Sequence, residues 1–274
     1  PICVASAVQR TFFVVIAKRL TSYATSHGLV GGYQRGFIPE VDGCMLNIFE
    51  MRQWLAESHE HNAVCIDISD AYGSISHNIL EVMLSRIIHP ASLNIFRAAI
   101  STHIHYGEET ITTRRGTAQG SAISPILFNM ALDTVLNDES KLKIRAFADD
   151  ITILSTGIEA EEDTKMVVES LGRHGLAVNP MKCFKLGDTR LTIQGALLVD
   201  ADPMKHKYLG LAATTTEPMR LAAKRKVDKI MTEVKRAISL PFTGLQLVEA
   251  FNTYIAPQLV LSTPLQNRLP STTS

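Results

Sequence analysis

Two neighbouring aspartates, Asp149 and Asp150, stand between two short stretches of strand-forming residues. The stretches cover residues 142–148 and 151–155, and both are rich in apolar and β-branched side chains. This pattern predicts a β-hairpin that carries two carboxylates at its tip. Because an Asp-Asp pair alone is more often a surface turn, the hairpin indicates chemistry only if further acidic residues join it.

A third aspartate, Asp67, lies within the apolar stretch 63–69, which is predicted to be a strand. In such a strand Ile66 and Ile68 would point to one face and Asp67 to the other. Carboxylates that gather at strand ends repel one another, and divalent cations remove that penalty. Oxygen ligands suit Mg²⁺, and two such ions can assist an in-line phosphoryl displacement. The three aspartates therefore favour metal-dependent phosphoryl transfer.

The rest of the chain mixes helices with hairpins. Apolar periodicity and capping residues predict helices over residues 7–20, 43–60, 76–88, 90–102, 125–136, 159–173, 219–240 and 245–254. Alternating patterns predict a hairpin over 104–115 and strands over 191–198 and 208–212. Helices that alternate with hairpins indicate the α+β class and not a doubly wound parallel sheet.

The amino-acid composition limits the classes of protein to which the chain can belong. Of the 274 residues 46 % are hydrophobic and 20 % charged, and no apolar run is long enough to span a membrane, so we expect no membrane partner. The four cysteines are scattered without zinc spacing, which is typical of reduced thiols inside a cell. The net charge is zero, but residues 203–236 hold nine basic residues against three acids. Pro1 opens the chain without a methionine, so we expect a piece of a longer protein.

Several motifs carry a resemblance to one family. Phe147-Ala148-Asp149-Asp150 resembles the [Y/F]-A-D-D hairpin of reverse transcriptases. Residues 116–129 are similar to the G-x-x-Q-G-x-x-L-S-P-x-L-F-N signature of that family. Residues 67–72 resemble its first catalytic strand, residues 175–183 its G-L-x-x-N-x-x-K-C segment, and Tyr208-Leu209-Gly210 its primer-grip turn. The motifs follow the family order over nearly the whole chain.

The segments 34–39 and 42–44 look like the fingers of site-specific non-long-terminal-repeat retrotransposons with a restriction-like endonuclease, and 255–259 resembles the start of their thumb. The resemblance implies a right-hand polymerase palm, a ferredoxin-like antiparallel sheet with helices, plus fingers and the start of a thumb. The implied boundaries are fingers 1–62, palm 63–89, a fingers or palm insertion 90–115, palm 116–215 and an incomplete thumb 216–274.

The resemblance also implies roles for single residues. Asp67 and Asp149 would ligate two Mg²⁺ ions, for which Mn²⁺ could substitute, and Asp150 would assist. Lys182 would protonate the pyrophosphate leaving group. Tyr72 would exclude a 2′-hydroxyl and so select deoxynucleotides. The residues expected to bind the dNTP are Ile68, Ser69, Asp70, Ala71, Tyr72, Gln119 and Gly120. Those expected to contact template or primer are Gln34, Gly36, Phe37, Phe147, Tyr208, Leu209 and Gly210.

The implied function is RNA-directed DNA polymerisation for target-primed retrotransposition, by an intracellular, nuclear protein with an RNA template, a DNA primer and dNTPs as partners. The oligomeric state stays open. Two alternatives remain: a degenerate RNA-binding scaffold and a metal-dependent nuclease that uses the same carboxylates. The chain departs from the family pattern at Gly73, where many relatives have Asp, and at Phe147, where Tyr is commoner. Without complete fingers and thumb, residues 1–274 alone could be inactive.

Overall fold

The computed structural model of the chain describes residues 6–101, 103–106, 108–136, 141–202, 205–209, 211–212 and 218–256. The chain divides into two compact units, Pro1–Asp200 and Ala201–Ser274. The predicted boundaries of fingers, palm and thumb stay predictions. None of the helices in the described residues combines the length and the apolar character of a membrane span.

The first unit mixes helices with strands. Its helices include α1 (Ala7–Ser26), α2 (Gly43–Glu57), α3 (Ala71–Ser74), α4 (His77–Ser85), α5 (Pro90–Ile100), α6 (Ser124–Leu136) and α7 (Ala160–Arg173). Its strands include β1 (His61–Ile66), β2 (His103–Tyr106), β3 (Glu109–Thr112), β4 (Lys143–Phe147), β5 (Asp150–Thr156), β6 (Phe184–Leu186), β7 (Thr192–Ile193), β8 (Ala196–Leu197) and β9 (Val199–Asp200).

A five-stranded sheet in the order β4-β5-β1-β6-β9 forms the centre of this unit. The pairs β4–β5, β5–β1 and β1–β6 are antiparallel, and β9 is parallel to β6. The chain passes from β1 through helices to the β4–β5 hairpin and through α7 to β6. This is the ferredoxin-like β-α-β-β-α-β arrangement. The predicted α+β fold with a ferredoxin-like sheet is confirmed.

The strand β1 differs from its prediction in two ways. It ends at Ile66, and all its residues after His61 are buried, so both faces are covered and not one. Helices α2 and α7 pack on the sheet, α2 at β1 and β4 and α7 at β5. Beyond Ile66 the chain leaves the sheet because Ile68 forms a bridge with Val178 and the Ser69 amide donates to the Ala177 carbonyl oxygen (2.8 Å). Asp67 therefore stands at the end of the strand and not within it.

Helix α6 fills the core beside the sheet. Most of its side chains are buried, and it packs against α1, α4 and α7. Its predicted start near Pro125 is confirmed, as is the cap on α4, where the Ser76 hydroxyl accepts from the Asn78 amide. Helix α1 continues past its predicted end at Leu20 because the buried stripe extends to Ala24. Strand β6 was not predicted, since three wholly buried residues show no alternation.

The second unit begins with a two-stranded hairpin of β10 (Lys207–Tyr208) and β11 (Leu211–Ala212). Helices α8 (Pro218–Ile238) and α9 (Gly244–Ala250) follow, and a π-helical turn covers Phe251–Ile255. Thr243 and Gln246 cap α9 reciprocally. Both helices agree with the prediction.

Candidate active site

Asp67 is held by the turn that precedes β6. Its amide donates to the Cys183 Sγ atom (3.3 Å), and its carbonyl oxygen accepts from the Asn179 amide (2.9 Å). The carboxylate atom Oδ2 is buried and has no hydrogen-bond partner within the described part of the chain. Lys182 Nζ lies 3.8 Å from that oxygen. A buried carboxylate oxygen without a donor is costly, so this site is suited to a cation.

Asp149 and Asp150 occupy the tip of the β4–β5 hairpin, as predicted. Ile66 of β1 pairs with Ile151 of β5, so Asp67 and Asp150 follow at the same end of the two strands. Burial and then the charges of Asp149 and Asp67 raise the pKa of Asp150 to about 6. Burial and the charge of Asp67 also raise the pKa of Asp149, against a hydrogen bond from its own backbone. The three carboxylates thus form one electrostatically coupled group.

Lys182 lies at the edge of this group. Its side chain is largely exposed while the ammonium reaches the Asp67 carboxylate. An exposed ammonium beside the aspartates can neutralise a phosphate and donate a proton to it. Its predicted role as general acid stays a prediction, and the structure places it where that role is feasible.

The segment expected to bind the nucleotide leaves β1 toward α3. Ile68 and Ala71 are buried, Ser69 is half-buried, and Asp70 has a left-handed backbone (φ 44°). The Asp70 carboxylate lies against Gly73: a Cβ at position 73 would lie 2.2 Å from Asp70 Oδ2, so any larger residue there would require the Asp70 side chain to move.

Tyr72 forms a wall of the site. Its ring stacks on that of Phe128 in α6, with 4.6 Å between centroids and 25° between planes. Burial and then the charge of Asp149 raise the pKa of the Tyr72 hydroxyl, so it stays protonated at neutral pH. The Tyr72 carbonyl oxygen accepts from the Thr117 amide (2.8 Å). Phe128 was not singled out from the sequence as a site residue, although it belongs to the motif 116–129.

Gln119 and Gly120 follow Thr117 in the loop before α6, and both are exposed. Gly120 has a positive φ of 98°, which favours glycine. Through the Thr117 contact this loop is joined to the segment expected to bind the nucleotide. The structure therefore brings Gln119 and Gly120 to the part of the chain that holds Tyr72.

Of the residues expected to contact template or primer, four surround the hairpin tip. Phe37 is 58 % exposed, and its ring centroid lies 5.6 Å from that of Phe147. Gly36 lies against the tip, and Gln34 is only 3 % exposed with its side chain bonded to Ala148. The template contact of Gln34 stays a prediction; in this structure its side chain is bonded within the chain.

Tyr208 and Leu209 lie in the second unit, where Tyr208 is buried in β10 and Leu209 has a positive φ of 48°. Gly210 lies outside the described residues. Their predicted contact with the primer stays a prediction.

The site is like the palm of a polymerase: acidic residues stand at the ends of neighbouring strands, beside Tyr72 and the loop before α6. Comparison with known proteins identifies the family. Residues 1–213 match the family described as reverse transcriptase (RNA-dependent DNA polymerase), and the chain belongs to this family. The resemblance predicted from the sequence motifs is confirmed.

The curated relatives are Pol polyproteins of R2 elements. The chain is 27 % identical over 312 residues to the retrovirus-related Pol polyprotein from type-1 retrotransposable element R2 of Popillia japonica, covering 100 % of this chain and 42 % of the relative. It is 27 % identical over 296 residues to the polyprotein from type-2 element R2DM of Drosophila melanogaster, covering 94 % and 27 %. The chain thus spans less than half the length of these relatives.

Solved structures of telomerases are similar at low identity. The telomerase of Candida albicans in complex with a fragment of telomeric RNA has a TM-score of 0.49 and 12 % identity, covering 83 % of this chain and 43 % of that one. The apo telomerase of Candida tropicalis, truncated from its C-terminal domain, has a TM-score of 0.49 and 14 % identity, covering 65 % and 40 %. With TM-scores below 0.5, these likenesses are coarse.

Reverse transcriptase domains use divalent metal ions, and the residues here fit such ions. All the donors are carboxylate oxygens, and one Asp67 oxygen is buried without a hydrogen-bond donor. Burial, and then repulsion between carboxylates, raises the pKa values of Asp149 and Asp150. Within the described ranges no group of three or more His, Cys, Asp or Glu residues is placed so that it could hold a metal ion by itself. Mg²⁺ needs only one or two protein carboxylates and completes its shell with water and substrate phosphate.

Proposed function

We propose that the protein is an RNA-directed DNA polymerase that adds dNTPs to a primer 3′-hydroxyl on an RNA template. The observation that carries the proposal is the electrostatically coupled group Asp67, Asp149 and Asp150, in which a buried Asp67 oxygen accepts no hydrogen bond. Membership of the reverse transcriptase family supports the same conclusion. By likeness to the R2 polyproteins, we propose further that copying is primed at a chromosomal target, which would place the protein in the nucleus.

In the proposed reaction the primer 3′-oxygen attacks the α-phosphorus of the dNTP, and the bond to pyrophosphate breaks. Asp67 and Asp149 would hold two Mg²⁺ ions, with Asp150 beside them; when bound, such ions activate the attacking oxygen and neutralise the leaving one. Lys182 would deliver a proton to the pyrophosphate. Tyr72, fixed by its stack on Phe128, would leave no room for a 2′-hydroxyl.

The exposed Phe37, whose ring lies beside that of the half-buried Phe147, supports a nucleic-acid surface at the hairpin tip, because aromatic faces stack on bases of any sequence. The basic residues of α8, of which Lys224, Lys229, Lys235 and Arg236 are described, would lie along the duplex and make salt-dependent contacts.

Primer extension on an RNA template by the full-length natural protein tests the proposal. Asp149→Ala is expected to lower the extension rate at least about a hundredfold, because the metals lose a ligand that acts in the transition state. Asp188→Ala, which removes an exposed aspartate in the turn after β6, is the matched control and should extend like wild type.

Equal extension by Asp149→Ala and wild type would overturn the assignment. The two alternatives give different results. A nuclease would shorten the labelled strand without needing dNTPs, whereas an inactive RNA-binding scaffold would extend nothing and would take up neither Mg²⁺ nor Mn²⁺ in a titration.

A further inference from the structure

The side chain of Gln34 holds the residue that precedes the paired aspartates. Its Oε1 atom accepts from the Ala148 amide (2.8 Å), and its Nε2 atom donates to the Ala148 carbonyl oxygen (3.1 Å). The same Oε1 accepts from the Gly36 amide (2.9 Å). One buried side-chain amide thus binds both backbone polar groups of Ala148.

Ala148 has a conformation that needs such support. Its φ of 54° lies in the left-handed region, where the Cβ atom of an L-residue is crowded by backbone. Such a backbone persists when its surroundings hold it, and it is common at functional sites. Asp149 follows directly, so the conformation of Ala148 sets the direction in which that carboxylate leaves the hairpin.

The segment that carries Gln34 is itself fixed to the hairpin. The Ala146 amide donates to the Tyr33 carbonyl oxygen (2.8 Å), and the Arg35 amide donates to the Ala146 carbonyl oxygen (2.9 Å). Gly36 allows close approach, because a Cβ at this position would lie 2.3 Å from the Ala148 nitrogen. The Gln34 side chain therefore starts from a rigid position on one side of the tip.

An amide is the functional group that this position requires. It presents an acceptor to the Ala148 N–H and a donor to the Ala148 C=O at the same time. A Met side chain has a similar length but offers neither, and an ionised Glu offers only acceptors, so it would repel the carbonyl oxygen. With only 3 % of Gln34 exposed, water cannot readily replace a lost bond.

We propose that Gln34 is a positioning residue for the polymerase reaction: by clamping Ala148 in its left-handed conformation, it aims the Asp149 and Asp150 carboxylates for catalysis. The inference rests on the proposed function. It assigns Gln34 a role in catalysis through the hairpin that is separate from any contact with the template.

Single-nucleotide incorporation by the full-length protein tests the inference with Gln34→Met and Gln34→Glu. Losing a buried pair of hydrogen bonds at the tip is expected to lower kcat about tenfold to a hundredfold. The KM for the dNTP should stay within about twofold, because the tip acts on the reacting centre and not on uniform binding. Gln53→Met, which changes an exposed glutamine of α2 in the same way, is the matched control and should keep wild-type kcat.

Two further readouts separate positioning from loss of fold. Hydrogen exchange of the Ala148 amide should become faster in Gln34→Met, while exchange in α6 stays unchanged. Adding Ala148→Gly to Gln34→Met should recover several-fold in kcat, because glycine enters the left-handed region without the Cβ crowding. Far-ultraviolet circular dichroism checks that each variant is folded.

Wild-type kcat in both Gln34 variants would overturn the inference. So would a loss of activity that only follows the loss of folded protein and that Ala148→Gly does not recover. If Gln34→Met fails to fold, Gln34→Glu decides in the same assays. Retained extension by Asp149→Ala would instead contradict the proposed function, so the two failures are distinguishable.

Discussion

Glu50 connects two segments that support the hairpin tip. Arg35 Nη2 lies 2.7 Å from its Oε1 atom, and Arg145 Nε contacts its Oε2 atom. Burial alone would raise the pKa of Glu50, but hydrogen bonds from the two arginines outweigh it and lower that pKa. Arg35 belongs to the Gln34 segment and Arg145 to β4, so one carboxylate on α2 connects that segment to the strand.

Glu50→Gln is expected to lower the free energy of unfolding by about 1 kcal/mol at neutral pH, as a partly buried charged pair is lost. Because the folded protein depresses the pKa of Glu50 below its ordinary value of 4.5, this contribution is complete above that pH and is lost as pH falls below it. Urea unfolding followed by Trp54 fluorescence at neutral pH and at about pH 3 measures the difference.

The exposed acid Glu57 at the end of α2 provides the control, since Glu57→Gln should change stability little at either pH. A Glu50→Gln deficit of the same size in acid and at neutral pH would show that the ion pairs are not its source.

At the scale of elements, two glycines allow the loop before α6 to meet the helix that follows β1. Gly116 has a φ of 86°, and a Cβ there would lie 2.9 Å from the Gly73 Cα atom. The Gly116 amide donates to the Ile75 carbonyl oxygen (2.7 Å), and its own carbonyl oxygen is 2.8 Å from His77 Nε2. These contacts fix the position of the loop, whose Thr117 amide donates to the Tyr72 carbonyl oxygen.

Gly116→Ala is expected to destabilise the fold by about 1–3 kcal/mol, because the new Cβ meets backbone and the residue keeps a left-handed φ. Thermal unfolding measures the loss. Gly172→Ala in α7 is the opposite case, since nothing lies within 4 Å of a Cβ there, and it should stabilise by up to about 1 kcal/mol. Equal effects of the two substitutions would contradict this account.

Much of the element pattern could be predicted from local sequence. Ser76 and Pro90 marked helix starts, and the apolar runs around Asp149 marked the hairpin, because capping and alternation are local signals. The short strand β6 and the two-sided burial of β1 were not predicted. Both depend on which helices cover the sheet, and that is decided by contacts distant in sequence.

At the scale of the whole molecule, the carboxylates connect stability to metal binding. Since the pKa of Asp150 is raised, its ionisation in metal-free protein opposes folding: the stability is highest below its ordinary pKa and falls as pH rises through about 6. A divalent cation that binds only the folded state would reverse that loss.

Mg²⁺ or Mn²⁺ is therefore expected to stabilise the full-length protein at neutral pH relative to a chelator, by about 2.7 kcal/mol at a hundredfold excess over Kd. The Tm should rise accordingly. Asp149→Asn should lose most of this rise, whereas Asp188→Asn at an exposed turn should keep it. Scanning calorimetry with and without metal makes the comparison. An equal rise in Asp149→Asn would place the ion elsewhere.

By itself the sequence determined the class of fold, the family and the acidic residues of the candidate site, because the hairpin Phe147-Ala148-Asp149-Asp150 and the signature 116–129 are local patterns. Only the tertiary structure decided how those residues are held. Gln34 and Ala148 are 114 residues apart, and Asp67 and Cys183 are 116 apart. Hydrogen bonds between residues so far apart in sequence depend on sheet order and packing, which no local sequence pattern predicts.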